Sequence, residues 1–219
     1  MPKLRVHNLA MSVDGYVAGP DQTLENPLGV GGTRLHEWVF ETKFGHEMMG
    51  ESGGSEGIDH QFAIRGDKGV GATIMGRNMF GPIRGSWDDE WKGWWGDEPP
   101  YHHPVFVLTH HARAPIAMAG GTTFSFVTDG IDSALAQAFD AAGGQDVRIG
   151  GGASTVRQYL AAGLVDELHV AIAPTLLGSG ERLFGAVGGS GVPDGMQCVE
   201  FTSSPAVVHV RFATSQISK

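Results

Sequence analysis

A run of three glycines between an apolar segment and a helix-like segment constrains the fold of this chain most strongly. The apolar residues 147–149 enter the glycine turn 150–152, and a helix-like segment follows at 156–162. Glycines let the backbone approach a ligand closely, and the N–H groups at the start of a helix bind anions. The stretch therefore predicts a phosphate-binding turn, although an ordinary tight turn between a strand and a helix has the same sequence.

A second stretch, residues 73–80, repeats this order. An apolar strand is followed by Gly76 and then by Arg77 at the expected start of a helix. Arginine presents a planar set of donors that suits phosphate. Two such turns favour a ligand with more than one phosphate, although Arg77 taken alone is also typical of a surface residue that caps a turn.

Strand-like and helix-like segments alternate along the chain, which predicts an α/β sheet of mostly parallel order. The pattern predicts strands at 4–11, 70–75, 105–108, 122–127, 147–149 and 168–172, helices at 35–44, 59–65, 78–80, 129–142 and 156–162, and two antiparallel edge strands at 199–201 and 207–212. With no repeat and no linker visible, residues 1–219 are expected to form one domain. Residues 84–104 resemble an insertion.

Four tryptophans, at positions 87, 91, 94 and 95, lie in this Trp-rich insertion at helical spacing. Three roles are open for them. The tryptophans could form the wall of a substrate pocket, make a dimer contact, or be buried against the protein's own surface.

Composition excludes several classes of protein. A net charge of −9 argues against nucleic acid as a partner. The single cysteine, Cys198, excludes an internal disulfide and fits a reducing cytoplasm. No apolar run is long enough for a membrane span and no signal peptide is visible. The chain also has two pairs of adjacent histidines, at 102–103 and at 110–111. They predict no metal site, because adjacent side chains point in different directions in strands and helices and do not bind one ion together.

The chain resembles the dihydrofolate reductase superfamily, and within it the RibD C-terminal type of reductase domain. The resemblance rests on five stretches in the expected order: Ala10 to Gly19, Met75-Gly76-Arg77, Val105 to Thr109, the glycine turn, and Val165 to Val170 continuing to Pro174–Gly180. It implies a three-layer α/β/α fold, a small-molecule substrate, NADPH as cofactor and a homodimer, for which an apolar strand edge near the C-terminus is available.

The resemblance also implies a cofactor site. Arg77 is expected at the 2′-phosphate or another phosphate on the adenosine side, and Thr109 near the adenine ribose phosphate. Ala10, Val17 and Ala18 are expected to line the nicotinamide pocket, although plain core packing is an open alternative for Ala10. The full set of residues implied to contact the cofactor is Ala10, Val17, Ala18, Gly76, Arg77, Asn78, Thr109, His110, Gly150, Gly151, Gly152, Ala153, Ser154 and Thr155.

The implied reaction is hydride transfer to a C=N or C=O carbon, which needs a proton donor. Asp14 lies in the family-like Ser-Val-Asp-Gly stretch, although Asp-Gly is also a common turn. Glu37 and Glu41 share a helix face and are the alternative, unless both are simply solvated. The sequence thus favours an NADPH-dependent reductase similar to 5-amino-6-(5-phosphoribosylamino)uracil reductase or dihydrofolate reductase. A dinucleotide-binding protein without turnover, or an interaction module that uses the Trp-rich insertion, is the alternative.

Overall fold

The computed structural model describes residues 1–81, 85–185 and 195–214, and most of their strands belong to one sheet. The strands are β1 (Leu4–Ser12), β2 (Tyr16–Ala18), β3 (Val70–Gly76), β4 (Pro104–Leu108), β5 (Ile116–Ala117), β6 (Thr123–Val127), β7 (Asp146–Gly151), β8 (Glu167–Ala173), β9 (Glu181–Arg182), β10 (Met196–Ser203) and β11 (Val208–Thr214). Within these ranges the order across the sheet is β10-β11-β8-β1-β7-β3-β4-β6-β5, and β2 pairs separately with β9.

The six central strands, from β8 to β6, pair in parallel. The strands β11 and β10 at one edge and β5 at the other pair antiparallel. This arrangement confirms the predicted sheet of mostly parallel order with an antiparallel C-terminal edge. The short strand β5 was not predicted, since its two residues are too few to show a pattern.

Helices cover both faces of the sheet. They are α1 (Glu37–Phe40), α2 (Lys43–Met48), α3 (Ile58–Asp67), α4 (Arg77–Phe80), α5 (Ile131–Ala141) and α6 (Ala153–Ala161), with short 3-10 turns at Gly32–His36 and Ala119–Gly121. Leu168 and Val170 of β8 pack in one core with α5 and α6, whereas Ala171 and Ala173 pack in another with Trp38 and Phe62. Because neighbouring side chains of a strand point to opposite faces, the two cores lie on opposite sides of the sheet. The predicted three-layer α/β/α fold is confirmed.

The single helix predicted at 35–44 is wrong, because Thr42 divides this region. The Thr42 hydroxyl accepts a hydrogen bond from the Gly45 N–H at 3.0 Å and caps α2. A Cβ at Gly45 would lie within 2.1 Å of the Val39 carbonyl oxygen, so the two short helices meet at a close contact that needs glycine. A local cap has outweighed the apolar spacing that favoured one continuous helix.

The tryptophans of the insertion do not lie on a helix despite their helical spacing, because residues 85–103 contain no helix. The indole N–H groups of Trp91 and Trp94 donate to the carbonyl oxygens of Phe80 and Met79, both at 2.9 Å. The ring of Trp95 stacks on Phe124. These three tryptophans therefore pack against the protein's own surface. Residue 84 of the predicted insertion and residues 82–83, 186–194 and 215–219 of the predicted domain lie outside the described residues.

A buried chain of hydrogen bonds joins β1, β8, β11 and α3. The Asn8 N–H donates to Nδ1 of His169 at 3.1 Å, Nε2 of His169 lies 3.0 Å from Nδ1 of His209, and Nε2 of His209 lies 2.8 Å from Oδ1 of Asp59. Since the backbone can only donate, His169 must accept at Nδ1 and, when neutral, donate from Nε2. His209 then donates to the Asp59 carboxylate. The network assigns both tautomers and leaves both histidines neutral.

Candidate cofactor and substrate site

The glycine turns predicted from sequence meet at one edge of the sheet. The strands β7, β3 and β4 are parallel neighbours, with Met75 opposite Gly151 and Gly76 opposite Leu108. Their carboxyl ends therefore carry the glycine turn, the Gly76–Arg77 turn and Thr109 side by side. In open α/β sheets ligands bind at this edge.

The first two turns contact each other directly. A Cβ at Gly76 would lie 2.4 Å from Oγ1 of the buried Thr155, and 3.6 Å from the backbone nitrogen of Gly152. Gly150 and Gly151 are in turn covered by the Met79 side chain. Glycine at position 76 is thus needed for the close approach of the β3–α4 turn to the start of α6.

The start of α6 leaves backbone donors available to a ligand. The helix begins at Ala153 after Gly152, and no side chain caps it. Gly151 has a φ of 143°, a conformation that residues with a side chain rarely adopt. Ser154 is exposed in the first turn. The uncapped N–H groups and the helix dipole together favour an anion at this position.

A cavity of about 660 Å³ opens beyond the carboxyl end of β4, between the segment that follows this strand and the Trp-rich insertion. Its lining includes Trp87, His110 and Arg113. The Thr109 hydroxyl accepts from the His111 N–H at 3.1 Å, so this threonine shapes the loop that carries the histidines. Arg77 reaches the same region, because its guanidinium carbon lies 3.9 Å from the centroid of the Trp87 ring. Asn78 is half-buried in the first turn of α4.

The three residues predicted at the nicotinamide have buried side chains. Ala10 packs with Leu35 and Trp38 in the core below α1, and Val17 packs in the core on the opposite face. Ala18 is also buried. The side chain of Ala10 therefore takes the core-packing role left open above, and contact of these backbones with a nicotinamide stays a prediction.

A second cavity, of about 310 Å³, lies at the carboxyl end of β8. Both predicted acids, Glu37 and Glu41, line it, together with Arg34 and Trp38. The segment Pro205–Val207, from the hairpin between β10 and β11, forms another wall. Sequence reasoning missed this wall, because nothing local in Pro205–Val207 indicates a contact with a helix some 165 residues earlier. The two glutamates are exposed and share this cavity.

Asp14 stabilises a turn instead of facing this cavity. Its carboxylate accepts hydrogen bonds from the N–H groups of Leu177 at 3.1 Å and Gly178 at 2.7 Å. A hydrogen bond from Ser12, aided by these two backbone donors, lowers the pKa of Asp14 to about 2. At neutral pH the carboxyl is ionised and holds no proton to donate, so the geometry favours the turn role over that of a proton donor.

Residues 1–81, 85–185 and 195–214 contain no helix with the length and apolar character needed to cross a membrane. In the same part of the chain, no three His, Cys, Asp or Glu side chains come together as metal ligands.

A family model described as the RibD C-terminal domain matches residues 2–210. The chain belongs to the RibD C-terminal domain family. Family membership supports a reductase of the riboflavin-pathway type. Among curated proteins, no sequence matches the chain.

Solved structures share the fold of this RibD C-terminal domain. A Shewanella sp. PV-4 protein named as a candidate riboflavin biosynthesis protein is 21% identical, with a TM-score of 0.60 over 99% of this chain and 100% of its own. A Thermotoga maritima deaminase and 5-amino-6-(5-phosphoribosylamino)uracil reductase is 13% identical, with a TM-score of 0.53 over 97% of this chain and 56% of its own. Enterococcus faecalis dihydrofolate reductase, complexed with NADP(H), is 13% identical, with a TM-score of 0.52 over 97% and 96%.

Proposed function

We propose that this chain is an NADPH-dependent reductase that transfers hydride to a small heterocyclic or carbonyl substrate. The observation that carries the proposal is the order of the strands β8-β1-β7-β3-β4. Along one edge of the sheet this order gives the acidic cavity at β8, the glycine turn at β7, Arg77 after β3, and the larger cavity after β4. Arg113 lines the larger cavity, and Arg77 lies against the ring of Trp87, which also lines it. An extended dinucleotide fits this sequence of features, with its reactive end toward the acidic cavity.

The residues present fit the cofactor. The uncapped start of α6 suits a pyrophosphate, while Arg77 and Arg113 suit a phosphate on the adenosine side. Nη1 of Arg113 is buried and has no hydrogen-bond partner among the described residues. Bound NADPH supplies the hydride, from the C4 atom of its nicotinamide ring.

Glu37 and Glu41 are the proposed proton source, since both line the cavity at the reactive end. Arg34 in the same cavity orients an anionic or carbonyl oxygen of the substrate. A phosphoribosyl substrate, such as that of the Thermotoga reductase, is less well supported, because among the described residues Arg34 is the only Lys or Arg side chain in the lining of this cavity. We therefore propose that the substrate is a small molecule without a phosphate group. We also propose that the protein works in the cytoplasm, a reducing compartment.

The first experiment is a calorimetric titration of the purified protein with NADPH and then NADH. Arg77→Ala is expected to weaken NADPH binding by about 1–3 kcal/mol, the size of a lost charge-assisted contact. NADH binding is expected to change much less, since NADH lacks the 2′-phosphate. Lys92→Ala is the control, because it removes the same charge from an exposed position of the insertion.

Two outcomes of this titration would count against the proposal. If neither nucleotide binds the wild type, the reductase assignment is wrong and the glycine turns are structural. If NADPH binds but no substrate in a screen of heterocyclic and carbonyl compounds lowers the absorbance at 340 nm, the dinucleotide-binding protein without turnover is favoured. The interaction-module alternative is not supported by an insertion whose tryptophans pack on their own domain.

We further propose a homodimer formed through β10, the outermost strand of the described sheet. Phe201 and Val199 on this strand are 70% and 51% exposed. Phe201→Asp is expected to halve the mass measured by light scattering, because burying a carboxylate at an apolar interface is unfavourable. Leu24→Asp, an exposed apolar position outside β10, is the control. A wild type that is monomeric at all concentrations would contradict the proposal.

A further inference from the structure

The ring of Trp87 brings two arginines together at the larger cavity. The guanidinium carbon of Arg77 lies 3.9 Å from its centroid, and that of Arg113 lies 5.4 Å from it. Cations within about 6 Å of an indole ring are attracted to its face. Arg77 belongs to the β3–α4 turn, Arg113 follows β4, and Trp87 belongs to the Trp-rich insertion, so one ring joins three separate segments.

The Trp87 ring is itself held in place. Its N–H donates to the His111 carbonyl oxygen at 2.7 Å. Its edges meet the rings of Phe80 and Phe126, with centroids 5.7 and 5.0 Å away. The ring is therefore a fixed support on which the guanidinium groups rest, unlike Trp91 and Trp94, which pack on α4 and on each other.

Arg113 keeps a donor for an anion beside Arg77. Nη2 of Arg77 is 3.4 Å from the Ser86 carbonyl oxygen, a long hydrogen bond. Nη2 of Arg113 donates to the Asp89 carbonyl oxygen at 2.8 Å, and its buried Nη1 has no partner in the described part of the chain. Since these two hydrogen bonds go to the neutral carbonyl groups of Ser86 and Asp89, neither of them supplies a negative charge to offset the repulsion between two cations.

We propose that Trp87 is the positioning residue that sets the preference of this chain for a phosphomonoester on the adenosine part of its ligand. The Trp87 ring orients Arg77 and Arg113 toward that phosphate, so the Trp-rich insertion determines the choice of NADPH over NADH. The inference rests on the proposed function for its cofactor, and it adds a determinant that lies outside both glycine turns.

The test is a calorimetric titration of the wild type, Trp87→Leu and Trp87→Phe with NADPH, NADH and 2′,5′-ADP. Trp87→Leu is expected to weaken binding of NADPH and of 2′,5′-ADP by about threefold to thirtyfold, the range for one cation–π contact, with NADH affinity unchanged. Trp87→Phe keeps an aromatic face and is expected to restore part of the loss. Trp94→Leu is the matched control: it is expected to lower the thermal midpoint without changing the ratio of NADPH to NADH affinity.

The outcomes separate this inference from the proposed function. Equal losses for NADPH and NADH in Trp87→Leu would show a merely structural role and overturn the inference, as would no loss for either. Wild-type protein that binds 2′,5′-ADP in a Trp87-dependent way but shows no reductase activity would support the inference and contradict the reductase assignment. Wild-type protein that does not bind 2′,5′-ADP would overturn the inference, whatever its activity.

Discussion

Replacing Gly76 by alanine is expected to lower the free energy of unfolding by about 1–3 kcal/mol, the usual range for overpacking a filled site. The backbone itself allows alanine, because Gly76 has a φ of −80° and a ψ of 157°. The loss comes from the added Cβ, which would lie 2.4 Å from Oγ1 of Thr155. Separation of the two turns is expected to weaken NADPH binding as well. Urea denaturation and titration of the nucleotide measure the two effects.

A matched glycine and a second-site change test this explanation. Gly57 also precedes a helix, with a φ of −74°, but a Cβ there meets nothing within 4 Å. Gly57→Ala is therefore expected to change stability by less than about 1 kcal/mol. Adding Thr155→Ala to Gly76→Ala removes the clashing oxygen. The Cβ atom of residue 155 then lies 3.6 Å from the Cβ added at position 76. The double variant should be more stable than the two single losses added together. Strict additivity would contradict the steric explanation.

Acidification below about pH 6.5 is expected to destabilise the protein, and the buried histidine network contributes to this loss. Burial lowers the pKa of His169 to about 2, reinforced by nearby arginines and by His7 and His209 whenever these two histidines carry a proton. Burial lowers the pKa of His209 too, against the opposing effect of Asp59. Above about pH 6.5 these histidines are neutral in both the folded and the unfolded chain, so they make stability independent of pH there. As the pH falls, these histidines bind protons in the unfolded chain but not in the folded chain, so the free energy of unfolding decreases.

His169→Gln measures the contribution of one member of this network. An amide accepts and donates hydrogen bonds without titrating, so it preserves the contacts with Asn8 and His209 in kind. Between about pH 6 and pH 4.5, His169 is expected to contribute a slope near 1.4 kcal/mol per pH unit, which the variant should lack. Equal slopes in the wild type and His169→Gln, from urea titrations at each pH, would show that His169 is protonated in the folded state.

Most elements of the fold could be predicted from local patterns in the sequence. The apolar strands and the helices at 129–142 and 156–162 lie within a few residues of their predicted bounds, because strand and helix formation here depends on neighbours in sequence. The glycine turn and the Gly76–Arg77 turn were recognised for the same reason. Parallel order then brought both turns to one edge of the sheet, as the alternation of strands and helices predicted.

The tertiary structure alone decided the features that depend on distant parts of the chain. Asp14 accepts a hydrogen bond from Gly178, far along the chain, and thereby stabilises a turn. The second cavity forms only because Pro205–Val207 lies opposite α1. The break at Thr42 and the placement of the tryptophans follow from close packing, not from periodicity. The sequence by itself determined the βα units and the family, since both are written in short local patterns. Which side chains face a ligand depended on contacts between residues far apart in sequence, and these leave no local signature.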